Sequence, residues 1–149
     1  MPPVLIDTNP LLSFKEAFER EMAESGVELS PWAQHYLVDL LCYKVHSLPL
    51  EEPLVLQMSS VITLTTARAR LEGYLTIGEC SLLSLSLFKD NLVRRGMSPR
   101  YFVHMGSSAY EQASTLAKAV DGFQGVYKEI SLRFSAVLPV LTPVGSTWP

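Results

Sequence analysis

Three proline positions constrain this chain more than any other feature of its sequence. Each follows a residue whose side chain can accept a hydrogen bond from a helix N-terminus, in the pairs Asn9-Pro10, Ser30-Pro31 and Ser98-Pro99. Proline at the first helical position loses no hydrogen bond, and the preceding side chain can cap the exposed N–H groups. The three pairs therefore predict helices that begin at residues 10, 31 and 99.

Apolar residues recur every three or four positions after these starts, which is the spacing of an amphipathic helix. The stripes that we identify are Leu11, Phe14, Phe18 and Met22; Leu71, Leu75, Gly78, Leu82, Leu85 and Leu92; Phe102, Met105, Ala109 and Leu116; and Phe123, Val126, Ile130, Phe134 and Val137. No alternating apolar and polar run of strand length is present. The spacing therefore predicts a protein built from helices.

The size of the chain suits a single hydrophobic core. Its 149 residues are 48% apolar, which is enough to bury a core without disulfides or metals. We predict an all-α fold, a single-domain bundle of five to six helices over residues 1–149. Pro139 and Pro143 are expected to end the last helix near Leu138. The expected loose termini are 1–9 and 139–149.

Two inner segments carry further expectations. The helix from residue 31 to about 47 is apolar on almost every side and is expected at the centre of the bundle. A third helix is expected from about 53 to 64. Residues 66–95 are expected to form one long helical segment, with one possible break near the threonines and an end at Gly96.

The charge pattern does not favour a nucleic-acid partner. The net charge is −3, and the densest basic patch is Arg94, Arg95 and Arg100. Because Gly96 and Pro99 lie within this patch, we interpret it as a junction between two helices with cations near a helix C-terminus. Nucleic-acid binders usually concentrate positive charge on a whole face.

Membrane segments and export signals are not expected either. The most apolar window, from Tyr74 to Phe88, is about 15 residues long and contains Glu79, so it is too short and too polar to cross a bilayer. The first residues, MPPVLIDTNP, lack the basic start and apolar run of a signal peptide. We expect a cytoplasmic protein with no membrane partner. Cys42 and Cys80 are expected to be buried thiols.

Part of the chain resembles a family of uncharacterised bacterial all-helical proteins. The resemblance is carried by EEPLVLQM, by GECSLLSLSLFKDNLVRRGMSPR and above all by YFVHMGSSAY at 101–110. It covers roughly residues 36–114 and departs from the family pattern at Glu79, where Asp is usual, and at 84–87, where Gly and Phe are usual. The resemblance implies a helical fold and a bacterial origin, but no activity, so no catalytic residue is transferred.

One helix face carries residue types that bind metals. In HYLVDLLCYKVH, the residues His35, Asp39, Cys42 and His46 fall within roughly 60° of arc at about 100° per residue. They also span about 16 Å along the axis at 1.5 Å per residue, so one ion cannot reach all four. We favour a structural role, in which His35 and Asp39 bond each other or the neighbouring backbone and Cys42 packs as an apolar group. A metal site completed by another helix stays open.

Motifs of catalysis and cofactor binding are missing from the sequence. It contains no GxxxxGK[ST], GxGxxG, HExxH, CxxC or GxSxG pattern and no pair of Glu-x-x-His motifs. We therefore favour a protein that is not an enzyme, leave an enzymatic role open, and expect no cofactor.

Small residues and one carboxyl group mark a candidate binding region. Gly78 and Gly106 are unfavourable within helices and are tolerated where another backbone or a ligand comes close. The weak candidates for a small apolar ligand are Gly78, Glu79, Tyr101, His104, Gly106 and Tyr110. Glu79 is expected to be buried and held by a group from another helix; the candidates are Tyr101, His104, Tyr110, Arg94, Arg95 and Arg100.

Three functions remain open on the sequence alone. The preferred one is a non-enzymatic protein that acts through a protein partner or as a homodimer. It is favoured because a mean hydropathy of +0.19 leaves more apolar surface than a small domain can hide. The alternatives are a protein that binds a small apolar ligand and a metal-binding protein that uses the face from His35 to His46.

Overall fold

The computed structural model of the chain describes residues 10–43 and 54–145, and every regular element within these ranges is a helix. The helices are α1 (Pro10–Ser25), α2 (Pro31–Tyr43), α3 (Leu54–Ile62), α4 (Ala67–Leu87), α5 (Lys89–Arg94), α6 (Pro99–Val120) and α7 (Gln124–Gly145). The all-α prediction is confirmed. The seven described helices exceed the predicted five to six, since the segment expected as one long helix forms two.

The predicted helix starts are observed at Pro10, Pro31 and Pro99, although their caps differ. Ser30 behaves as expected, because its hydroxyl accepts a hydrogen bond of 3.2 Å from the N–H of Ala33. Ser98 precedes α6 at the predicted position, but its side chain makes no capping hydrogen bond. Asn9 lies outside the described residues, as do the expected loose residues 1–9.

The break between α4 and α5 falls at Phe88, later than the sequence suggested. The threonine region instead forms the turn before α4, where the Thr66 hydroxyl accepts from the N–H of Ala69. At Phe88 the backbone leaves the helical region, with φ −128° and ψ 26°. Two residues earlier, the Ser86 hydroxyl donates to the Leu82 carbonyl at 2.7 Å, and such back-bonding often bends helices. Asp90 in the first turn then favours a new helix start.

Helix α7 continues beyond both of its prolines, so the prediction that it ends near Leu138 is wrong. Pro139 and Pro143 lie inside the helix, which reaches Gly145. The reason is burial: the side chains of Val140, Leu141 and Val144 are fully buried in the core. Their burial offsets the cost of about 3 kcal/mol for each proline inside the helix. Of the predicted loose end, only residues 146–149 lie outside the described part.

The central helix of the described bundle is α4, not α2 as the sequence suggested. Helix α4 packs on α3, α5, α6 and α7, and its most extensive contact is with α6. Residues 77–86 are buried on all sides, including the polar side chains Glu79, Ser81, Ser84 and Ser86. Helix α2 packs on α1 and α7 at one side of the bundle. The centre of the molecule is therefore a helix with polar groups on a buried surface.

Most of the predicted stripes face the core. Phe14 and Phe18 of α1 are buried as expected, and so are the four stripe residues of α7, Val126, Ile130, Phe134 and Val137. Phe123, predicted to face inward, is 47% exposed. Phe123 comes before the first residue of α7, so the helical spacing does not apply to it. None of the described helices combines the length and the apolar character needed to cross a membrane.

Candidate functional site

A buried carboxyl group joins three helices at the centre of the molecule. Glu79 on α4 is only 9% exposed, and its Oε2 accepts a hydrogen bond of 2.6 Å from the Tyr36 hydroxyl on α2. The Tyr36 hydroxyl also lies 3.0 Å from the hydroxyl of Tyr110 on α6. The expectation that Glu79 is buried and held by another helix is confirmed. We call Tyr36, Glu79 and Tyr110 the tyrosine–glutamate cluster.

Tyr36 was missed by the sequence analysis, while Tyr110 was among the candidates. Helical spacing could have indicated that Tyr36 faces the core, because it lies on the same face of α2 as the buried residues Ala33 and Leu40. The start of α2 is fixed by Glu129 of α7, whose two carboxyl oxygens accept from the N–H and the hydroxyl of Ser30 at 2.7 and 2.6 Å. This contact sets where Tyr36 reaches the core.

Gly78 makes room for the Tyr110 ring. A Cβ atom at position 78 would lie 2.7 Å from Cε2 of Tyr110, closer than real side-chain contacts allow. Tyr110 is fully buried, and its ring lies 6.3 Å from the ring of Phe134, centre to centre. The absence of a side chain at Gly78 therefore lets α6 approach α4 closely enough for the two tyrosines and Glu79 to meet.

Gly106 on α6 likewise makes room for an aromatic ring, in this case one from α7. A Cβ atom there would lie 2.6 Å from Cζ of Phe134 on α7 and 2.8 Å from Cβ of Ser81 on α4. The spaces beside Gly78 and Gly106 are thus filled by aromatic rings of the protein itself. Both glycines are positions of close helix packing, which was the alternative to a ligand pocket.

Tyr101 and His104 are not brought to Glu79. Both are on the exposed side of α6. Tyr110 follows Tyr101 by nine positions, which is about two and a half turns at 100° per residue, so the two residues lie on opposite faces of α6. The six candidate ligand residues therefore divide into a buried group of four and an exposed pair, and they do not form one site.

The phenols of the cluster stay protonated at neutral pH. Burial is the main cause that raises the pKa of Tyr36 and of Tyr110 well above its usual value. The negative charge of Glu79 raises both further, while the hydrogen bond from Tyr36 opposes this for Tyr110. Tyr127, whose ring lies 5.8 Å from that of Tyr36, has a pKa raised by burial and by its hydrogen bond to Asp121. These hydroxyls can donate hydrogen bonds, but they cannot act as bases.

The predicted metal-binding face does not assemble a site in the part of the chain that is described. His35 Nε2 and Asp39 Oδ2 lie 3.1 Å apart on the surface, so these two residues bond each other as expected. Cys42 is buried, and burial, with a smaller effect of Asp39, raises the pKa of its thiol. His46 lies outside the described residues. Over 10–43 and 54–145, no three His, Cys, Asp or Glu residues are grouped to hold a metal ion.

A second feature is a surface that the sequence analysis interpreted only as a helix junction. We call it the α5 corner: residues 88–101, from the end of α4 to the start of α6. Four large apolar side chains are exposed there: Val93 (54%), Phe88 (43%), Met97 (36%) and Tyr101 (36%). Four exposed cations alternate with them: Lys89, Arg94, Arg95 and Arg100. Within the described residues none of these cations forms an ion pair.

The backbone of the α5 corner is fixed by its glycine. Gly96 adopts φ +77°, which side-chain-bearing residues rarely adopt, and its N–H donates to the Val93 carbonyl at 3.0 Å. The N–H of Met97 donates to the Leu92 carbonyl at 2.9 Å. These two bonds form the Schellman motif that closes a helix. Leu92 is buried and anchors α5, so the apolar groups around it are displayed on a defined backbone.

A third feature is an open groove between the end of α1 and the start of α2. It has a volume of about 520 Å³ and is lined by Glu19, Met22, Ala23, Gly26, Val27, Glu28 and Gln34. Gln34 is fixed by a hydrogen bond of 2.8 Å from its side chain to the Leu29 carbonyl. We call this the acidic groove, because the two charged residues that line it are both glutamates.

Comparison with known proteins adds no identification. No family model matches the chain, and no curated protein and no solved structure shows significant similarity to it. The resemblance based on YFVHMGSSAY therefore stays a prediction.

Proposed function

We propose that this protein is a non-enzymatic helical interaction protein that self-associates and uses the α5 corner as a docking surface. The observation that supports this is the exposure of Phe88, Val93, Met97 and Tyr101 among four cations on one corner of the bundle. Apolar side chains grouped on a surface and rimmed by polar groups are typical of protein interaction sites.

The energetics favour docking at this corner. Burying apolar surface contributes about 25 cal/mol per Å², and side chains such as Val93 and Phe88 expose about half of theirs. The Schellman motif at Gly96 fixes the backbone before any partner arrives, so little ordering is required on binding. Arginine is one of the residues enriched at binding interfaces, and its guanidinium groups can pair with carboxylates of a partner.

The interior gives less support to catalysis or to ligand binding. The phenols at the centre are held protonated, the Cys42 thiol has a raised pKa, and rings of the protein fill the space beside both glycines. A reactive base or thiolate is thus disfavoured at these positions. The exposed apolar and basic side chains of the α5 corner therefore give more support to an interaction role than the interior gives to catalysis.

Sedimentation velocity from low to high micromolar concentration tests the proposal. We expect the average mass to rise with concentration, and we expect V93S/M97S to weaken association about tenfold or more because it removes apolar area from the corner. Leu132→Ser is the matched control, since Leu132 is 73% exposed on α7, away from the corner. A monomer at every concentration, or equal effects of both changes, would contradict the proposal.

A further inference from the structure

The α5 corner and the segment that carries the acidic groove have opposite charges. Residues 88–101 carry four basic and one acidic side chain, a net charge of +3. Residues 15–28, which include α1 from its second turn and the groove wall, carry five acidic and two basic side chains, a net charge of −3. The positive charge of the corner is therefore complementary to the negative charge of the segment that carries the groove.

The two surfaces belong to different parts of the bundle. Helix α1 packs on α2 and α7, whereas α5 packs on α4 and α6. Neither Glu19 nor Glu28 of the groove forms an ion pair in the described part of the chain, and the same holds for Arg94 and Arg95 of the corner. These charges thus stay available for contacts between molecules.

The side chains that line the groove suit this pairing. The groove is shallow and open to solvent, with a volume of about 520 Å³, so a surface feature of a second protein can reach its lining. Its lining includes the apolar side chains of Met22 and Val27 and the carboxylates of Glu19 and Glu28. The corner exposes Val93 and Met97 beside Arg94 and Arg95, so it presents apolar and cationic groups together.

We infer that the α5 corner of one molecule docks in the acidic groove of a second copy. The inference rests on the proposed function and names the partner surface. A contact between two corners would bring like charges together, which costs free energy, whereas a contact between corner and groove pairs each charge with its opposite. Such an interface joins two different surfaces, so each molecule uses its groove and its corner for separate neighbours.

Charge reversal tests this contact directly. The corner variant R94E/R95E and the groove variant E19K/E28K should each weaken self-association about tenfold or more, because like charges then face each other. An equimolar mixture of the two variants should associate again, since each supplies the intact surface that the other lacks. The variant with all four changes should also associate, because its charges are exchanged but complementary. Circular dichroism checks that every variant is folded.

The outcomes separate the inference from the proposed function. If E19K/E28K associates like the unchanged protein while V93S/M97S does not, the corner docks elsewhere, and only the inference fails. If no variant changes association, both fail. Co-sedimentation with phosphatidylserine vesicles tests a further occupant: binding to vesicles that R94E/R95E abolishes, with no effect of E19K/E28K on association, would assign the corner to an anionic lipid surface and overturn the inference.

Discussion

Tyr36 shows why a single residue can be decisive and yet escape sequence reasoning. Its hydroxyl lies between Glu79 and Tyr110, from which it is separated by 43 and 74 positions in the chain. Spacing along the sequence predicts which residues share a helix face, but not which helices become neighbours. The burial of Glu79 could be predicted because an isolated carboxyl group in an apolar run requires a partner. The identity of the partner required the fold.

Replacing the carboxyl group should destabilise the protein. We expect Glu79→Ala to lower the free energy of unfolding by about 1–3 kcal/mol, because the Tyr36 hydroxyl loses its acceptor inside the core. Glu79→Gln keeps an acceptor oxygen of similar size and should cost less. Urea denaturation followed by circular dichroism measures both. If Glu79→Ala is as stable as the unchanged protein, the cluster does not hold the helices together.

The raised pKa values of the tyrosines predict a loss of stability in alkali. Folded Tyr36 and Tyr110 hold their protons above the usual pKa of 10, whereas the unfolded chain releases them there. The stabilisation is therefore complete below pH 10 and is lost as the pH rises further, by about 1.4 kcal/mol per pH unit for each group.

Variants assign this loss to the cluster. Tyr36→Phe should reduce the slope of unfolding free energy against pH above 10, whereas Tyr101→Phe, a control on the exposed side of α6, should leave it unchanged. Urea titrations between neutral and strongly alkaline pH provide the slope. An equal slope in Tyr36→Phe and the unchanged protein would contradict the prediction.

At the scale of elements, local signals predicted helix starts well and helix ends poorly. Proline with a preceding polar residue acts locally, so the starts at 10, 31 and 99 agree with the structure. The end of α7 depends instead on tertiary burial of Val140, Leu141 and Val144, which no local pattern reveals. The break at Phe88 was missed because the stripe of leucines continues through it from α4 to Leu92 of α5. The missed features are thus those that long-range packing decides.

Removing the last turns of α7 should have a large effect. A chain that ends at Leu138 loses three fully buried side chains, each worth about 1.5–3 kcal/mol, so we expect a loss of at least about 4 kcal/mol in unfolding free energy. A chain that ends at Gly145 lacks only residues outside the described part and serves as the control. Thermal and urea unfolding compare the two. Equal stability would mean that these turns do not support the core.

At the scale of the whole molecule, the polar cluster lies inside and the candidate docking surfaces lie outside. The cluster joins α2, α4 and α6, while the groove lies where α1 meets α2 and the corner is formed around α5, which packs on α4 and α6. Of these features, composition predicted only that apolar surface would remain exposed. The opposite charges of corner and groove could be recognised once the fold had shown which side chains are exposed.

The fit of Tyr110 against Gly78 has a mechanical consequence. A shift of α6 by one helical turn would press its ring against Tyr74 or Leu82 of α4 instead of a glycine, so the two helices have a single register. Proteins that relay signals by ratcheting one helix past another need at least two registers between those helices. We therefore expect the scaffold between corner and groove to behave as a rigid spacer. Copies added one after another should then bind with equal affinity, giving isodesmic growth without cooperativity.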